Sequence, residues 1–473
     1  MLTLTLEILI AVFNLGTACH VVIHKRDPKS AAAWVILCLT VPLVGPILYW
    51  LLGVNRVRTR AEEWQEQGYW SQPSKSASPQ PFDENNLEGL CHSAGTMAKI
   101  GNSVAKRPLV TGNSVQPLHN GDEAFPVMLE AIKSARKSIW LSTYIFETNA
   151  LGKEFINALI DAANRIEQVN VLVDGFGECY SWPRAGGYFK NSNVKFARFL
   201  PLNSLSRGIH FNLRAHRKIL VIDREIGFTG GMNIGGRHLV QDGRKNSCRD
   251  IHFQFKGPVV QHLETAFAED WRFATGEKLP YDPQQSDPKR GPSICRGFSA
   301  GPNEDYEKLR WLILGAINSA EQSVKIMTPY FIPERPMIHA LNLAVLRGVK
   351  VDLLLPAKSN LPFFSWASQA YHEELIRFGV DIHLQPPPFN HGKLLLVDDS
   401  YSLIGSANLD PRSLRLNFEF NVEIFCNETN QSLSRYFDEL CTSSYTLDHG
   451  HFMDRRTSIK LRNGLIKLFS PYL

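Results

Sequence analysis

The sequence lacks the regular cysteine and histidine spacings that identify metal centres and disulfide frameworks. Its 473 residues include only eight cysteines, and none of them forms a C-x-x-C pair or a zinc-ribbon spacing. No H-E-x-x-H sequence occurs among the 15 histidines. These absences argue against a zinc site and against a dense disulfide framework. We therefore expect buried free thiols, no metal and no cofactor.

A strong charge of one sign is also absent. The chain has 51 Lys and Arg against 46 Asp and Glu, a net charge of +5, and its pI is near 8.7. This weak positive charge fits attraction to anionic lipid and fits weak nucleic-acid contact equally well. The composition, with 44% apolar and 21% charged residues, is that of a globular protein long enough for two or three domains.

One five-residue pattern, H-x-K-x4-D-x6-G-[GS]-x-N, occurs twice with the same internal spacing. Its matched positions are His216, Lys218, Asp223, Gly230 and Asn233 in the first copy, and His391, Lys393, Asp398, Gly405 and Asn408 in the second. The apolar runs 216–223 and 391–398 predict strands that place His and Lys on one face. Because five matched positions seldom recur by chance, the duplication indicates phosphodiester chemistry.

The doubled motif resembles that of the phospholipase D superfamily, and the flanking sequence resembles its bacterial cardiolipin synthase branch. The narrower resemblance rests on six segments: residues 26–34, 212–218, 228–233, 408–414, 416–419 and 468–473. It implies an α/β fold of two pseudo-symmetric phospholipase D-like halves, each a mixed β-sheet flanked by helices, preceded by an N-terminal membrane helical hairpin. It also implies a covalent phosphatidyl-histidine intermediate.

Cleaving a phosphodiester without a metal requires a nucleophile, an acid for the leaving alcohol and positive charge around the phosphate oxygens. Imidazole serves the first two roles near neutral pH. We assign His216 as nucleophile and His391 as acid and base, although the pseudo-symmetry leaves the order open. Two lysines and two amides are expected to hold the phosphate: Lys218, Lys393, Asn233 and Asn408.

Four carboxylates complete the predicted site. Asp223 and Asp398 belong to the motif and are included as catalytic. They follow the lysines by an odd number of residues, however, so a regular strand turns them away and a turn-anchoring role competes. Asp250 and Glu419 are expected to orient the imidazoles, because a carboxylate on the second ring nitrogen fixes the tautomer. The alternative for Asp250 and Glu419 is a surface ion pair.

The first sixty residues contain two apolar segments, 2–23 and 31–53. Three polar residues weaken the first as a bilayer span: Glu7, Asn14 and His20. The second is cleaner, but Pro42 and Pro46 would kink it or make it re-entrant. A signal peptide fits poorly, because no basic n-region or small-residue cleavage site is present. The two segments therefore predict a retained membrane hairpin.

The basic residues beside the apolar segments do not decide the orientation of this hairpin. Its loop carries Lys25, Arg26 and Lys29, and its exit carries Arg56, Arg58 and Arg60. Unpaired cysteines and the family resemblance favour a multi-pass protein of the bacterial cell membrane with a cytoplasmic catalytic domain. The basic, partly apolar tail 459–469 could lie on the same membrane, or it could be an ordinary helix packed on the domain.

An internal repeat extends beyond the motif. Residues 131–139 correspond to 316–324, and the repeat-equivalent strand ends carry Tyr144, Tyr330 and Phe331, which could line a lipid channel or pack in the core. Ser, Pro, Gln and Asn dominate 71–86, which predicts a linker. The expected domains are the hairpin (1–60), the linker (61–103), a first half (104–290) and a second half with the tail (291–473).

These features predict a cardiolipin synthase that joins two phosphatidylglycerol molecules and releases glycerol. A membrane-held site favours transfer over hydrolysis, because it concentrates the lipid acceptor and excludes water. The alternatives are a membrane-bound phospholipase D or other phosphodiesterase, and a non-catalytic lipid-binding protein, against which two intact motifs argue. Phospholipids are the expected partners, nucleic acid is not, and the oligomeric state is open.

Overall fold

The structure, a computed structural model, describes residues 2–25, 28–53, 90, 92–105, 107–201, 213–241, 243, 246–280, 289–301, 307–448, 450 and 455–470. The chain divides into two compact units, Met1–Glu63 and Trp64–Leu473. The predicted linker residues 71–86, the basic residues 56–60, Arg26, Asn212 and residues 471–473 lie outside the described part.

The first unit is a helical hairpin. It consists of helices α1 (Leu2–His24), α2 (Pro28–Thr40) and α3 (Val44–Leu48), followed by a π-helical turn (Tyr49–Gly53). Among the described helices, only α1 is long and apolar enough to cross a membrane, over Leu4–His24. The segment that the sequence suggested to be the cleaner span is interrupted between α2 and α3, where Pro42 cannot continue a helix.

Three polar residues of α1, Asn14, Thr17 and His20, find partners inside this hairpin. Three contacts connect them to the second segment: Leu43 N–H donates to Asn14 Oδ1 (3.2 Å), Trp50 Nε1–H donates to Thr17 Oγ1 (3.1 Å), and His20 Nδ1 lies 2.9 Å from the Tyr49 hydroxyl. Polar groups that pair between helices cost less in an apolar surrounding than groups left without a partner. These residues therefore hold the hairpin together.

The second unit contains the predicted α/β elements. Its helices are α4 (His92–Val104), α5 (Asn120–Ser134), α6 (Ala150–Ala163), α7 (Ala185–Tyr188), α8 (Val260–Thr275), α9 (Lys308–Ser319), α10 (Arg335–Leu346), α11 (Pro362–Arg377), α12 (Pro411–Arg415), α13 (Asn427–Thr442) and α14 (Thr457–Lys467). Short 3₁₀ turns lie at Gly177–Tyr180 and Gly236–His238.

The strands are β1 (Val110–His119), β2 (Ser138–Thr143), β3 (Gln168–Asp174), β4 (Lys195–Phe199), β5 (Arg214–Ala215), β6 (Ile219–Ile222), β7 (Ile226–Gly230), β8 (Cys248–Arg249), β9 (Ile251–Lys256), β10 (Ser293–Ala300), β11 (Ser323–Met327), β12 (Lys350–Pro356), β13 (Asp381–Gln385), β14 (Phe389–Asn390), β15 (Leu394–Val397), β16 (Tyr401–Gly405), β17 (Asn417–Phe425) and β18 (Tyr445–Thr446).

The two halves share one mixed sheet, which confirms the predicted fold class. Within the described residues the strand order is β18-β13-β12-β11-β15-β16-β17-β10-β1-β9-β7-β6-β2-β3-β4. At the centre of the sheet, β1 of the first half pairs antiparallel with β10 of the second. Outward from this pair, the two halves have equivalent strand arrangements. In each half the motif strand is antiparallel to the strand that begins the βαβ unit, β2 or β11. Two shorter parallel pairs, β5 with β17 and β8 with β14, also connect the halves.

The structure corrects the predicted linker at its end. Within 61–103, helix α4 begins at His92 and packs into the core of the second half through Ala94, Met97 and Ala98. The buried Arg296 of β10 fastens this helix to the sheet, because it donates to Asn102 Oδ1 and to Glu423 Oε2, each at 2.7 Å. A segment that precedes the first half in sequence thus belongs to the core of the second.

The described cysteines are all free thiols. Five of these seven are buried or partly buried, as expected, but Cys19 and Cys179 are exposed. The eighth, Cys91, lies outside the described residues.

Candidate active site

The two motifs meet at the two short parallel pairs that connect the halves, β5 with β17 and β8 with β14. The strands β6 and β15 begin three residues later than predicted, so each His and Lys lies in an extended segment just before its strand. The His216 N–H donates to the Phe418 carbonyl at 2.9 Å, and the His391 N–H donates to the Arg249 carbonyl at 2.7 Å. The backbone of each motif histidine is therefore held by a strand of the opposite half.

Each imidazole is also held by a carboxylate of the opposite half. His216 Nδ1 lies 2.9 Å from Glu419 Oε2, and His391 Nδ1 lies 2.9 Å from Asp250 Oδ2. Both carboxylates are fully buried, whereas the histidine side chains keep 12% and 13% exposure. The surface ion pair considered for Asp250 and Glu419 is thus excluded, and the imidazoles remain open at the other ring nitrogen.

Two residues that support Glu419 were not found in the sequence. The Ser406 hydroxyl donates to Glu419 Oε2 at 2.5 Å, and the fully buried Arg217 donates from Nε to the Glu419 carbonyl at 3.1 Å. Arg217 also pairs with the buried Asp270 at 2.7 Å. The available signal was an arginine between the motif His and Lys of the first copy, where Gly392 stands in the second.

The two motif lysines are buried beside the histidines. Lys218 Nζ donates to the His216 carbonyl at 2.6 Å, and Lys393 Nζ donates to the His391 carbonyl at 2.5 Å. Burial lowers the pKa of Lys218 to about 7, and the charge of Lys393 contributes to this, while Glu419 opposes it. Burial likewise lowers the pKa of Lys393 to about 8. An anion bound beside these two lysines is therefore expected to raise the fraction of them that is protonated.

Burial governs the other ionisable groups as well. It lowers the pKa of His216, although Glu419 opposes the shift, and it lowers the pKa of His391 well below the ordinary value, with Lys393 adding to the effect. Burial raises the pKa of Asp250. For Glu419 the His216 imidazole and the Lys218 charge outweigh burial, and they lower its pKa. The pKa values of both members of the His216 and Glu419 pair are therefore lowered.

Sulfate binding to this site is expected to weaken as the pH rises. A lysine is charged below its pKa, so Lys218 and Lys393 are charged at about pH 6 and largely neutral at about pH 9. The sulfate charge is constant over this range, so its affinity should fall up to about tenfold per pH unit for each lysine that loses its proton. Calorimetric titration measures this, with Lys393→Arg as the variant that flattens the profile. Equal affinity at both pH values would contradict it.

The motif asparagines take part in the framework of the site. Asn233 Oδ1 accepts from the Ile145 N–H at 3.1 Å, and Asn408 Nδ2 donates to the Ser413 hydroxyl at 3.2 Å. Both side chains are more than nine-tenths buried. The first contact connects the motif of the first half to the loop after β2. The second connects the motif of the second half to α12.

The position after the motif glycine is Gly231 in the first copy and Ser406 in the second, and each has a structural reason. A Cβ on Gly231 would lie 2.2 Å from Asp250 Oδ1, so only glycine leaves room for this carboxylate. In the second copy Ser406 occupies the position and its hydroxyl reaches Glu419 instead. The first copy therefore leaves space for the carboxylate, whereas the second copy donates a hydrogen bond to it.

Gly231→Ala is expected to displace the Asp250 carboxylate and to lower turnover by about 10- to 100-fold, the usual cost of losing a partner that orients a histidine. Gly187→Ala is the matched control, since nothing lies within 4 Å of a Cβ there. Steady-state kinetics with a check of thermal stability measures the effect. Unchanged turnover in Gly231→Ala would show that the position of Asp250 is unimportant.

The motif aspartates bind turns, which favours the turn-anchoring role over the catalytic one. Asp223 accepts the N–H groups of Arg136, Lys137 and Ser138 at 2.7–2.9 Å. Asp398 accepts those of residues 321–323 at 2.8–3.2 Å. Both aspartates adopt left-handed φ angles, 54° and 52°, directly after the strand. Their side chains bind the turn that begins β2 or β11, so they hold the sheet rather than the substrate.

Asp223→Ala is expected to lower the free energy of unfolding by about 1–3 kcal/mol, because three backbone donors lose a charged acceptor and alanine is strained at this φ. Turnover per folded molecule should be unchanged. Chemical denaturation and active-site-normalised kinetics separate the two. The exposed Asp399→Ala is the control, and a loss of turnover without a loss of stability would restore the catalytic interpretation.

Aromatic side chains flank both histidines. The Tyr144 ring centroid lies 5.5 Å from that of His216, and the Tyr330 ring lies 6.4 Å from that of His391. Phe331, in contrast, is 2% exposed and bridges to Leu409, so it belongs to the core. Of the three aromatic candidates, two line the site and one packs inside.

Among the described residues, no group of three or more His, Cys, Asp or Glu side chains is arranged to hold a metal ion.

Comparisons with known proteins agree with this geometry. The family model described as cardiolipin synthase, PLD-like domain, matches residues 128–271 and 313–441, and that of the phospholipase D-nuclease N-terminal region matches 12–53. The chain is 28% identical to cardiolipin synthase of Geobacillus kaustophilus, covering 98% of this chain and 94% of the relative. It is 30% identical to cardiolipin synthase 1 of Bacillus anthracis, with 97% and 92% covered.

A solved structure shows the same fold. Phosphatidylserine synthase of Haemophilus influenzae superposes with a TM-score of 0.61 at 16% identity, over 80% of this chain and all of that one. The matched family regions carry both pentads, and the N-terminal match covers the hairpin from residue 12 onward. The chain belongs to the cardiolipin synthase family of the phospholipase D superfamily.

Proposed function

We propose that the protein makes cardiolipin by transferring a phosphatidyl group from one phosphatidylglycerol to another, with release of glycerol. The observation that carries this proposal is the pair of imidazoles that meet from two halves, each with a buried carboxylate on Nδ1 and with a buried lysine beside it. Two imidazoles supply the nucleophile and the proton donor that a metal-free phosphodiester exchange needs.

In the first half-reaction His216 Nε2 attacks phosphorus and the bond to the glycerol oxygen breaks. His391 gives its proton to that oxygen, and glycerol leaves. In the second, the primary hydroxyl of another phosphatidylglycerol loses its proton to His391 and attacks phosphorus, and the bond to His216 breaks. Cardiolipin forms and both histidines return to their starting states. The pseudo-symmetry of the site also permits the reverse order of roles.

The neighbouring groups support both steps. Glu419 stabilises the positive charge that develops on His216, and Asp250 does the same for His391 when this carries the transferred proton. The charges of Lys218 and Lys393 hold the phosphate oxygens, where negative charge accumulates. The bound phosphodiester anion in turn favours the protonated form of His391, which offsets the effect of burial on its pKa. Asn233 and Asn408 orient the loops beside the phosphate.

The proposed membrane arrangement rests on the apolar segments of the first unit. We propose that both apolar segments of residues 1–60 enter the membrane as a multi-pass hairpin and that the catalytic halves, 104–290 and 291–473, lie on the cytoplasmic side. Its support is the apolar length of α1 and the free thiols of the second unit, which suit a reducing compartment. A site at the membrane surface meets the lipid acceptor at a high local concentration.

Product analysis tests the proposed function. The purified full chain is incubated with phosphatidylglycerol that carries one label in the acyl chains and another in the terminal glycerol. The proposal predicts labelled cardiolipin and free glycerol in equal amounts. Phosphatidic acid with glycerol and no cardiolipin would assign the protein as a hydrolase. The exposed His339→Ala variant, which retains both motif histidines, is the control for the histidine variants discussed later.

A further inference from the structure

A cavity of about 630 Å³ lies beside the catalytic site, at the carboxyl ends of β11, β12 and β13. These three strands are parallel, and a crevice beyond the carboxyl ends of parallel strands is a common position for ligands. Helices α11 and α14 form the remaining walls. The Tyr330 ring stands between the cavity and the histidines, 4.8 Å from the Phe364 ring in the cavity wall and 6.4 Å from that of His391.

The lining of the cavity combines an apolar wall with a cationic rim. Phe364, Leu355, Leu384 and Ile459 supply apolar surface. The rim carries three guanidinium groups, which belong to Arg455, Arg456 and Arg462. Among the described lining residues there is no carboxylate. A cavity of this kind suits an amphiphile with an anionic head.

The rim belongs to a basic segment of the chain. Residues 455–470 contain five basic residues and no acidic one. Burial lowers the pKa of Arg455, and the nearby charge of Arg462 lowers it further, while Glu373 opposes this. Arg455 Nη1 also donates to the Gln369 carbonyl at 3.5 Å, and Arg462 donates to Asn463 Oδ1. An anion between the two guanidinium groups would relieve their repulsion.

The outer face of α14, away from the cavity, is apolar and exposed. One side of the helix packs on α11, where Asn463 is 3% exposed and donates to Gln369. The opposite side exposes four apolar side chains by 51–72%: Leu461, Leu465, Leu468 and Phe469. Phe363 of α11, which precedes the cavity-wall residue Phe364, is 56% exposed. A packed helix with an exposed apolar face and flanking basic residues suits the interface of an anionic bilayer.

We propose that this cavity binds one acidic phospholipid, with its phosphate on Arg455 and Arg462 and its chains along the apolar wall toward the bilayer. The site is separate from the one that holds the reacting phosphate, because Tyr330 lies between them. Its volume is in the range of about 300–1,000 Å³ found for small-ligand sites, so it holds the head and the upper chain segments. The choice of phosphatidylglycerol as the occupant rests on the proposed function.

Fluorescence quenching tests the proposal with a signal that reports lipid contact and not turnover. Trp366 lies beside the rim, with the Arg462 guanidinium 4.5 Å over its ring. The full chain is placed in phosphatidylcholine nanodiscs that contain increasing fractions of phosphatidylglycerol with brominated chains, which quench tryptophan on contact. The Trp366 signal is the difference between the wild type and Trp366→Phe. Brominated phosphatidylcholine at the same fractions measures quenching by ordinary bilayer contact.

We expect brominated phosphatidylglycerol to quench Trp366 at a lower fraction than brominated phosphatidylcholine does. The Arg455→Gln, Arg462→Gln double variant should raise the half-saturating fraction by about 25-fold, about fivefold for each charge removed near an anionic lipid. The exposed Arg456→Gln should give a smaller shift without any risk to folding, and Arg435→Gln, exposed on α13, should give none. Thermal unfolding of every variant checks the fold.

Equal quenching by the two brominated lipids, or an unchanged half-saturating fraction in both the double variant and Arg456→Gln, would overturn the proposal. Displacement of the lipid by millimolar glycerol phosphate would also overturn it, because a free phosphate would then suffice. Cardiolipin formation is measured separately on the same proteins. A protein that shows the quenching but makes no cardiolipin would contradict the proposed function and leave the acidic-lipid site in place.

Discussion

Replacing either His216 or His391 by alanine is expected to lower the rate of cardiolipin formation by about 10⁴-fold. One histidine supplies the bond to phosphorus and the other supplies the proton, and neither a buried lysine nor water at this position replaces them. His339→Ala, on the exposed face of α10, should leave the rate unchanged. The measurement is steady-state formation of cardiolipin from labelled phosphatidylglycerol.

A substrate with an activated leaving group separates the two roles. A phosphatidyl nitrophenol needs no proton donor for its leaving group, so His391→Ala should still release one equivalent of nitrophenol as a burst. His216→Ala should release none. The opposite pattern would exchange the two roles, and it would keep the two-histidine site. Steady turnover of phosphatidylglycerol in both variants would contradict the site.

Removing the crossed carboxylates is expected to have the second largest effect. Glu419→Gln and Asp250→Asn preserve shape and remove charge, and each should lower cardiolipin formation by about 10²- to 10⁴-fold, the range for a carboxylate that orients an imidazole. Because Glu419 raises the pKa of His216, Glu419→Gln should also move the acidic limb of the pH profile to lower pH. Glu428→Gln, exposed at the start of α13, is the control.

Phosphatidyl nitrophenol also tests whether each carboxylate acts on the histidine of the opposite half. Glu419 belongs to the second half and contacts the histidine of the first, so Glu419→Gln should slow the nitrophenol burst. Asp250→Asn should leave the burst nearly unchanged and slow the transfer to phosphatidylglycerol, since it acts through His391. If each carboxylate served the histidine of its own half, the two variants would exchange these effects.

The sequence was sufficient for the fold class and for the residues that meet at the site. The repeat of 131–139 in 316–324 indicated two equivalent βαβ halves, and the structure places them as mirrored parts of one sheet. The ten predicted site residues include the four whose side chains form the histidine and carboxylate pairs. Five matched positions at fixed spacing carried the prediction of the two histidines, whereas Asp250 and Glu419 lie outside these positions and were inferred from the chemistry that an imidazole needs.

Contacts between the halves could not be predicted from the sequence. The pairing of Glu419 with His216 depends on a two-residue parallel contact of β17 with β5, about 200 residues apart, which no periodicity predicts. Helix α4 was assigned to the linker, although it is helical and packs on the second half. Strand periodicity also extended the motif strands over residues whose backbone partners are in the opposite half. Each error concerns a tertiary contact that overrides a local pattern.

The motif aspartates show how a shared pattern conceals two roles. Asp223 and Asp398 recur at the same spacing as the histidines and lysines, so the pattern alone groups them with the catalytic residues. Their odd separation from the lysines indicated the opposite direction, and their left-handed φ angles and backbone acceptors place them at the turn. Spacing identifies residues that must be kept together, whereas geometry identifies what each one does.

The most direct test of the two-histidine account is capture of the covalent intermediate. The protein is mixed with phosphatidyl nitrophenol, quenched at alkaline pH, where phosphohistidine is stable, and its peptides are identified by mass spectrometry. The account predicts a phosphatidyl group on His216 in the wild type, accumulating in His391→Ala and absent in His216→Ala. A phosphatidyl group on neither histidine, while cardiolipin still forms, would contradict it.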